Sequence, residues 1–498
     1  MEPAEYSTLD AVGLAALIAA GEVTAAEAAD AARAVIDAVE PVLNGLAGPL
    51  FDEIPAADAT GPLAGVPFLV KDLSLRVTGH PVEMGTRLLA GSPAAVATYD
   101  SDLTARMRRA GLAMLGRTTT PEMGLFGTTQ SILRGDTRNP WDLTMVAGGS
   151  SGGSAALVAA GAVPAAHASD AGGSIRMPAA RCGLVGLKPS RGRITLRPRV
   201  AEGVFGLGVH FAVCRTVRDL AALLDAFEGP GAGERYDVRR PPRPYAAEVG
   251  APVERLRIAV TGDGWLGIPA DDQSREAVLA VGEVLAAAGH QVTDTAPSID
   301  VDAYDHATAV IWAVGAAEQV DALAAVTGRA VGPETVEPAN RRYAEAGRRF
   351  TAVELSAALG VYDQVCLAVG RFWESFDLLV TPTSPTPAVP LSFLDPADEE
   401  ATFEQWLQRV ASFEVFTSLW NATGDPAVSL PLARSATRLP LGIQVVAPLG
   451  HDDRLVRVAA WLEQALPWAD RRPPVHAAEV LGAVRRAGGV GAPPGMGE

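Results

Sequence analysis

The chain reads as an α/β protein with a mixed central β-sheet flanked by helices on both faces. Three observations lead there. Short β-branched or aromatic runs such as PFLVK (67–71), RIAV (257–260) and DLLVTPT (377–383) read as strands. They alternate with longer helical patterns, which is how a sheet covered by helices is written. The chain also has 498 residues, 48% hydrophobic and 20% charged, enough for a large core.

Taken in order, residues 8–20 form a short amphipathic helix. Thr24 and Glu27 make a capping box that opens a second helix, ending near Glu40 ahead of Pro41. GPLAGVPFLVKD (61–72) is a turn-rich lead into a strand that ends at Lys71. Residues 101–110 are helical and 112–116 are a short buried strand. The stretch 144–174 is dense in glycine, with a helix at 154–160 between two Gly-Ser clusters. Strands at 184–187 and 209–215 precede a helix over 217–227. Residues 229–252, rich in Pro, Gly and Arg, read as a linker. Beyond it come strand 257–260, helix 274–288 and strand 290–294, then helices over 301–327 and 338–375. Strands at 377–383 and 441–448 and a helix over 452–465 close the pattern. The expected plan is one domain, 1–482, with a catalytic core at 60–228, the linker, and a C-terminal αβ part at 253–482. The Gly/Pro/Arg-rich tail, 483–498, is expected to be disordered.

A formal net charge of −17 repels phosphate backbones and anionic lipid, so nucleic-acid and membrane partners are not expected. No 18-residue apolar stretch stands out. MEPAEYSTLD lacks the basic and apolar regions of a secretory signal, so the expected location is cytoplasmic. Cys182, Cys214 and Cys366 are scattered in apolar sequence without metal-ligand spacing, and read as reduced, buried residues. No metal or cofactor is implied.

Of the 41 basic residues only Lys71 and Lys188 are lysine. Arg replaces Lys readily on a surface, but a guanidinium cannot give up its proton in a protein. The two surviving lysines are therefore candidates for chemistry, against packing or chance as the plainer explanation.

Three segments carry residues that can react: Val70-Lys71-Asp72, GGSSGGS (148–154) and SDAGGSIRMP (169–178). A serine hydroxyl needs an adjacent base to become a nucleophile. Glycines just before a serine let successive backbone N–H groups converge on one oxygen, and Ala171-Gly172-Gly173-Ser174 meets that need. Lys71, at the end of a buried strand, loses proton affinity by desolvation and can serve as the base. Gly148-x-Ser150-x-Gly152 also matches the G-x-S-x-G nucleophile elbow. That elbow needs an apolar strand before it and a catalytic His after it; the run 141–147 is weakly strand-like, and of His210, His290, His306, His451 and His476 most read as helix-end or surface residues.

The stretch GGSSGGSAALVAAGAVPAAHASDAGGSIRMPAARCGLVGLKPSRGRI resembles the hallmark segment of the amidase signature family almost residue for residue. AGVPFLVKD, GRTTTPEMG, TRNPWD, FDLLVTPT, Asn421-x-Thr423-Gly424-x-Pro426 and LPLGIQVV extend the resemblance over nearly the whole chain. It implies the amidase signature fold and hydrolysis of linear or cyclic carboxamides, with a small-molecule amide as substrate; a homodimer is one assembly open to the chain, whose oligomeric state the sequence does not fix. It implies Ser174 as nucleophile, Ser150 as relay serine after a cis peptide bond, Lys71 as base, and the backbone of Ala171, Gly172, Gly173 and Ser174 as oxyanion hole. Asp170, Arg176 and Ser151 are expected to support that loop, and Lys188 to pack or hydrogen-bond at a strand end. Ala171 stands where many members carry Thr or Ile. Met123, Trp312 and Trp420 are named as pocket walls. Two alternatives stay open: an ammonia-generating subunit of glutamyl-tRNA amidotransferase, which Met177 and Arg191 disfavour, and a non-catalytic scaffold.

Overall fold

The computed structural model describes residues 1–55, 57–265 and 267–488. Ten strands form one continuous mixed sheet. Its parallel edge is Gln291–Asp294, Arg257–Val260 and Leu378–Pro382. Pro440–Val446, Ala427–Arg434, Val185–Lys188 and Val209–Cys214 follow, each antiparallel to its neighbour. Ala165–Asp170 pairs antiparallel with Val209–Cys214, and the far edge, Pro67–Lys71 then Ala113–Thr118, is parallel again. The mixed α/β architecture is the one the sequence predicts.

Helices cover both faces, and the main core includes Val35, Phe68, Leu157, Phe211, Leu224 and Val445. Burying such side chains supplies about 1.5–3 kcal/mol each, the main term holding the sheet closed. The helix Ala25–Leu43 starts at the Thr24–Glu27 capping box and runs past Pro41, which lies in its last turn and removes the N–H that would have bonded to the carbonyl four residues before it. Asn44, in the left-handed region at φ 52°, ends it. The expected helix 338–375 is two, Pro338–Gly347 and Ala352–Ser375, because Thr351 and Glu354 form a second capping box. The helix Ala477–Gly488 occupies the start of the expected disordered tail; residues 489–498 lie outside the described residues.

Two strands of the ten-stranded sheet escape sequence reading. Ala165–Asp170 is built of Ala, His, Ser and Asp, poor β-formers that central pairing overrides. Ala427–Arg434 carries Pro431, and its register with Pro440–Val446 shifts between Leu430 and Ala433. Val301–Thr327 and Ala352–Ser375 are long and apolar enough, by length and composition, to cross a bilayer. This departs from the expectation that no such stretch exists, since Ala and Val dilute their few charges. They pack on one another here, with Tyr304 and Tyr362 stacked at 5.7 Å.

Candidate active site

The strands Pro67–Lys71 and Ala165–Asp170 are neighbours, so Lys71 comes beside the turn that leaves Asp170. Lys71 Nζ lies 2.7 Å from Ser150 Oγ and 3.1 Å from Ser169 Oγ, with no side-chain exposure. Burial pushes its ammonium down to about 7, against the opposing pull of the Asp170 charge. The peptide bond between Gly149 and Ser150 is cis. A Cβ on Gly149 would meet the Thr128 backbone at 2.6 Å, so this turn accepts only glycine.

Ser150 and Ser174 open on one cavity of about 690 Å³, the size of a small-molecule site. Among the described residues the Ser174 hydroxyl has no protein hydrogen-bond partner, and neither do the backbone N–H groups of Gly172, Gly173 and Ser174. No hydrogen bond joins the two serine hydroxyls in this geometry. Gly173 sits at φ 142°, and a Cβ there would lie 2.4 Å from Thr417 Oγ1. Thr417 Oγ1 donates to the Gly172 carbonyl at 2.6 Å, which ties down the loop ahead of Ser174.

Beneath the loop, Arg176 donates to both Asp170 oxygens at 2.9 Å, and neither side chain is exposed. Burial alone would raise Asp170; the Arg176 charge and hydrogen bonds outweigh it and hold the carboxyl at about 2. Arg176 also donates to the Thr417 carbonyl, Gln444 Oε1 and Asn421 Oδ1, while Asn421 Nδ2 returns a bond to Asp170. Asp170→Asn leaves Arg176 buried without a counter-charge and is expected to destabilise the fold by about 3–5 kcal/mol, measured by urea unfolding. Ser151 bridges to the Ser169 backbone N–H and carbonyl at 3.3 Å each.

Met123 and Trp312 line the cavity. Trp420 does not. It is fully buried, donates to the Phe416 carbonyl at 3.0 Å and packs edge-on to Trp265, so the expected pocket wall is a core residue. Lys188 is buried and donates to its neighbour's carbonyl, on Pro189, at 3.0 Å. Cys182 is buried away from the cavity, and burial pushes its thiol well up. No cluster of metal-ligating side chains occurs among the described residues.

Three site residues carry no sequence signal of their own. Ser169 is the second neighbour of the Lys71 amine. His210 lines the cavity from the adjacent strand. Glu414 lies against Gly172, where a Cβ would approach its carboxyl at 2.5 Å. Burial and then the Asp170 charge push Glu414 up to about 8, against Arg176, so it is largely protonated at neutral pH. Only three-dimensional proximity brings these residues to the site.

A family model described as amidase matches residues 23–456. The 6-aminohexanoate-cyclic-dimer hydrolase of Paenarthrobacter ureafaciens is 37% identical over 478 residues, 93% of this chain and 96% of that protein. An acylamidase of Rhodococcus erythropolis is 32% identical over 485 residues, 93% of this chain and 97% of its own length. A solved structure of 6-aminohexanoate cyclic dimer hydrolase superposes with a TM-score of 0.87 at 34% identity, covering 94% of this chain and 99% of that one.

Proposed function

The chain belongs to the amidase family and is an amidohydrolase; we propose that it cleaves linear or cyclic carboxamides through an acyl-enzyme on Ser174, with Ser150 as proton relay and Lys71 as base. One observation carries this reading. A fully buried amine stands 2.7 Å from one hydroxyl at the floor of a cavity into which a second, unbonded hydroxyl opens beside free backbone donors.

Neutral Lys71 takes the Ser150 proton while Ser150 takes that of Ser174, whose oxygen attacks the amide carbon. The charge that develops on the carbonyl oxygen is met by the N–H groups of the 171–174 loop, each worth about 3–4 kcal/mol of barrier. The proton returns along the same path to the departing amine, and water then hydrolyses the ester. The tie between Asp170 and Arg176 fixes the loop before substrate arrives. The likeness to a cyclic-dimer hydrolase and to an acylamidase supports both cyclic and linear amides as substrates.

The test is a rate screen over linear, cyclic and aryl amides together with glutamine. Amine release from the simple amides without any added protein supports the reading. Glutaminase activity that appears only with a partner subunit overturns it in favour of an amidotransferase role, and a catalytically silent chain makes it a scaffold.

The state of Lys71 sets the pH profile. The reactive form is the neutral amine, so kcat/KM falls as pH drops through about 7, approaching tenfold per unit below that point. A profile flat from pH 5 to 8 would contradict Lys71 as the base.

A further inference from the structure

His167 and His210 stand next to the proposed relay, and no step of it uses them. His167 lies two residues before Ser169 on the same strand, so the two side chains share a face. His210 sits directly opposite Ser169 on the antiparallel neighbour. His167 Nε2 is 2.8 Å from His210 Nδ1, with the rings stacked at 5.0 Å. His167 is fully buried, and its other nitrogen, Nδ1, has no partner. His210 is half-buried and lines the cavity with Ser150 and Ser174. Its Nε2 is neither sealed off nor bonded to protein, so the cavity is what it faces.

The orphaned atom fixes the proton positions. A contact of 2.8 Å between two ring nitrogens needs one hydrogen between them. A proton on His167 Nδ1 would be a buried N–H with no acceptor, among the rarest and costliest arrangements in a folded chain. Placed on Nε2 instead, that proton donates to His210 Nδ1 and leaves only an unfilled lone pair behind. His210 then keeps its own proton on Nε2, at the cavity wall. Burial first, and then nearby positive charges including Lys71, hold both rings below the usual imidazole range, so both are neutral at neutral pH.

The geometry points to a donor subsite: His210 Nε2–H, set by His167, binds a second acceptor oxygen of the substrate, so amides carrying another carbonyl or a carboxylate are preferred over plain monoamides. This inference rests on reading the cavity as the amide-binding site.

The tautomer is measurable without turnover, from long-range ¹H–¹⁵N spectra of protein labelled with ¹⁵N-histidine, using His210→Gln to assign the ring. A proton on His210 Nε2 is expected, and a proton on Nδ1 overturns the subsite. In kinetics, His210→Phe is expected to lower kcat/KM for a diamide about five- to tenfold more than for a monoamide of the same acyl chain, mainly through KM. His210→Gln, whose side-chain amide can place an N–H near the same point, is expected to restore most of that difference. An equal loss on both substrates overturns the inference. Running the matching ω-carboxy amide beside the diamide shows which oxygen the subsite takes. Fluorophosphonate labelling of Ser174 in the unaltered enzyme separates the two failures. Absent labelling sinks the amidase reading of the cavity, whereas labelling with equal losses sinks only the subsite.

Discussion

Ser174→Ala is expected to lower amide turnover on the order of 10⁴-fold or more while leaving the fold intact. The two halves of this expectation have different physical sources. On the proposed mechanism no acyl-enzyme forms without the Ser174 oxygen, and what remains is binding plus a cradle of N–H donors with nothing to stabilise. The hydroxyl makes no hydrogen bond to protein, so its removal strands no buried partner. The change in unfolding free energy should therefore stay within about 1 kcal/mol. Single-turnover kinetics and denaturant unfolding read the two consequences separately, and loss of fluorophosphonate labelling checks the point of attack. Turnover that survives in Ser174→Ala would transfer the nucleophile elsewhere, Ser150 being next in line.

Lys71→Arg is expected to be nearly as severe, on the order of 10³-fold or more in kcat/KM, the upper part of the range for loss of a general base. Arg keeps a positive charge at the position but cannot become neutral and accept the Ser150 proton. The site is fully enclosed and closely bordered by Ser150 and Ser169, so the larger guanidinium also strains its surroundings. Lys71→Met provides the second measurement, since it fills a similar volume without a base. Both variants should fail alike in rate, whereas their thermal midpoints should differ. An active Lys71→Arg enzyme would leave the relay without its base.

Much of this was legible in the chain because chemistry with few solutions leaves compositional marks. A protein that writes Arg nearly everywhere kept lysine at two positions, and both are fully buried. Lys71 reaches a hydroxyl, while Lys188 reaches a main-chain carbonyl, so depletion pointed to enclosure and the glycine-serine segments were needed to point to reactivity. Most strand and helix starts were readable from caps and β-branched runs, central strands such as Val185–Lys188 and Pro440–Val446 included. The strand Ala165–Asp170 was not, although it positions Ser169 and Asp170, because its pairing on both sides determines it and its own residues do not. Trp420 was misassigned for a related reason: a large ring is equally suited to a core and to a pocket wall, and only its neighbours decide. Glu414 and His210 lie far from the glycine-serine segments in sequence, and no local pattern announces them.

The guanidinium of Arg176 is held by Thr417, Asn421 and Gln444, the last of them 268 residues further along the chain. During synthesis the segment carrying the proposed nucleophile therefore emerges long before the groups that shape its loop have been made. A ribosome-bound or truncated product ending short of that region holds every residue of the proposed Ser-Ser-Lys set and still lacks the groups that hold Arg176. On the proposed mechanism, hydrolytic competence should consequently arrive only after that distant region has been made and has folded back.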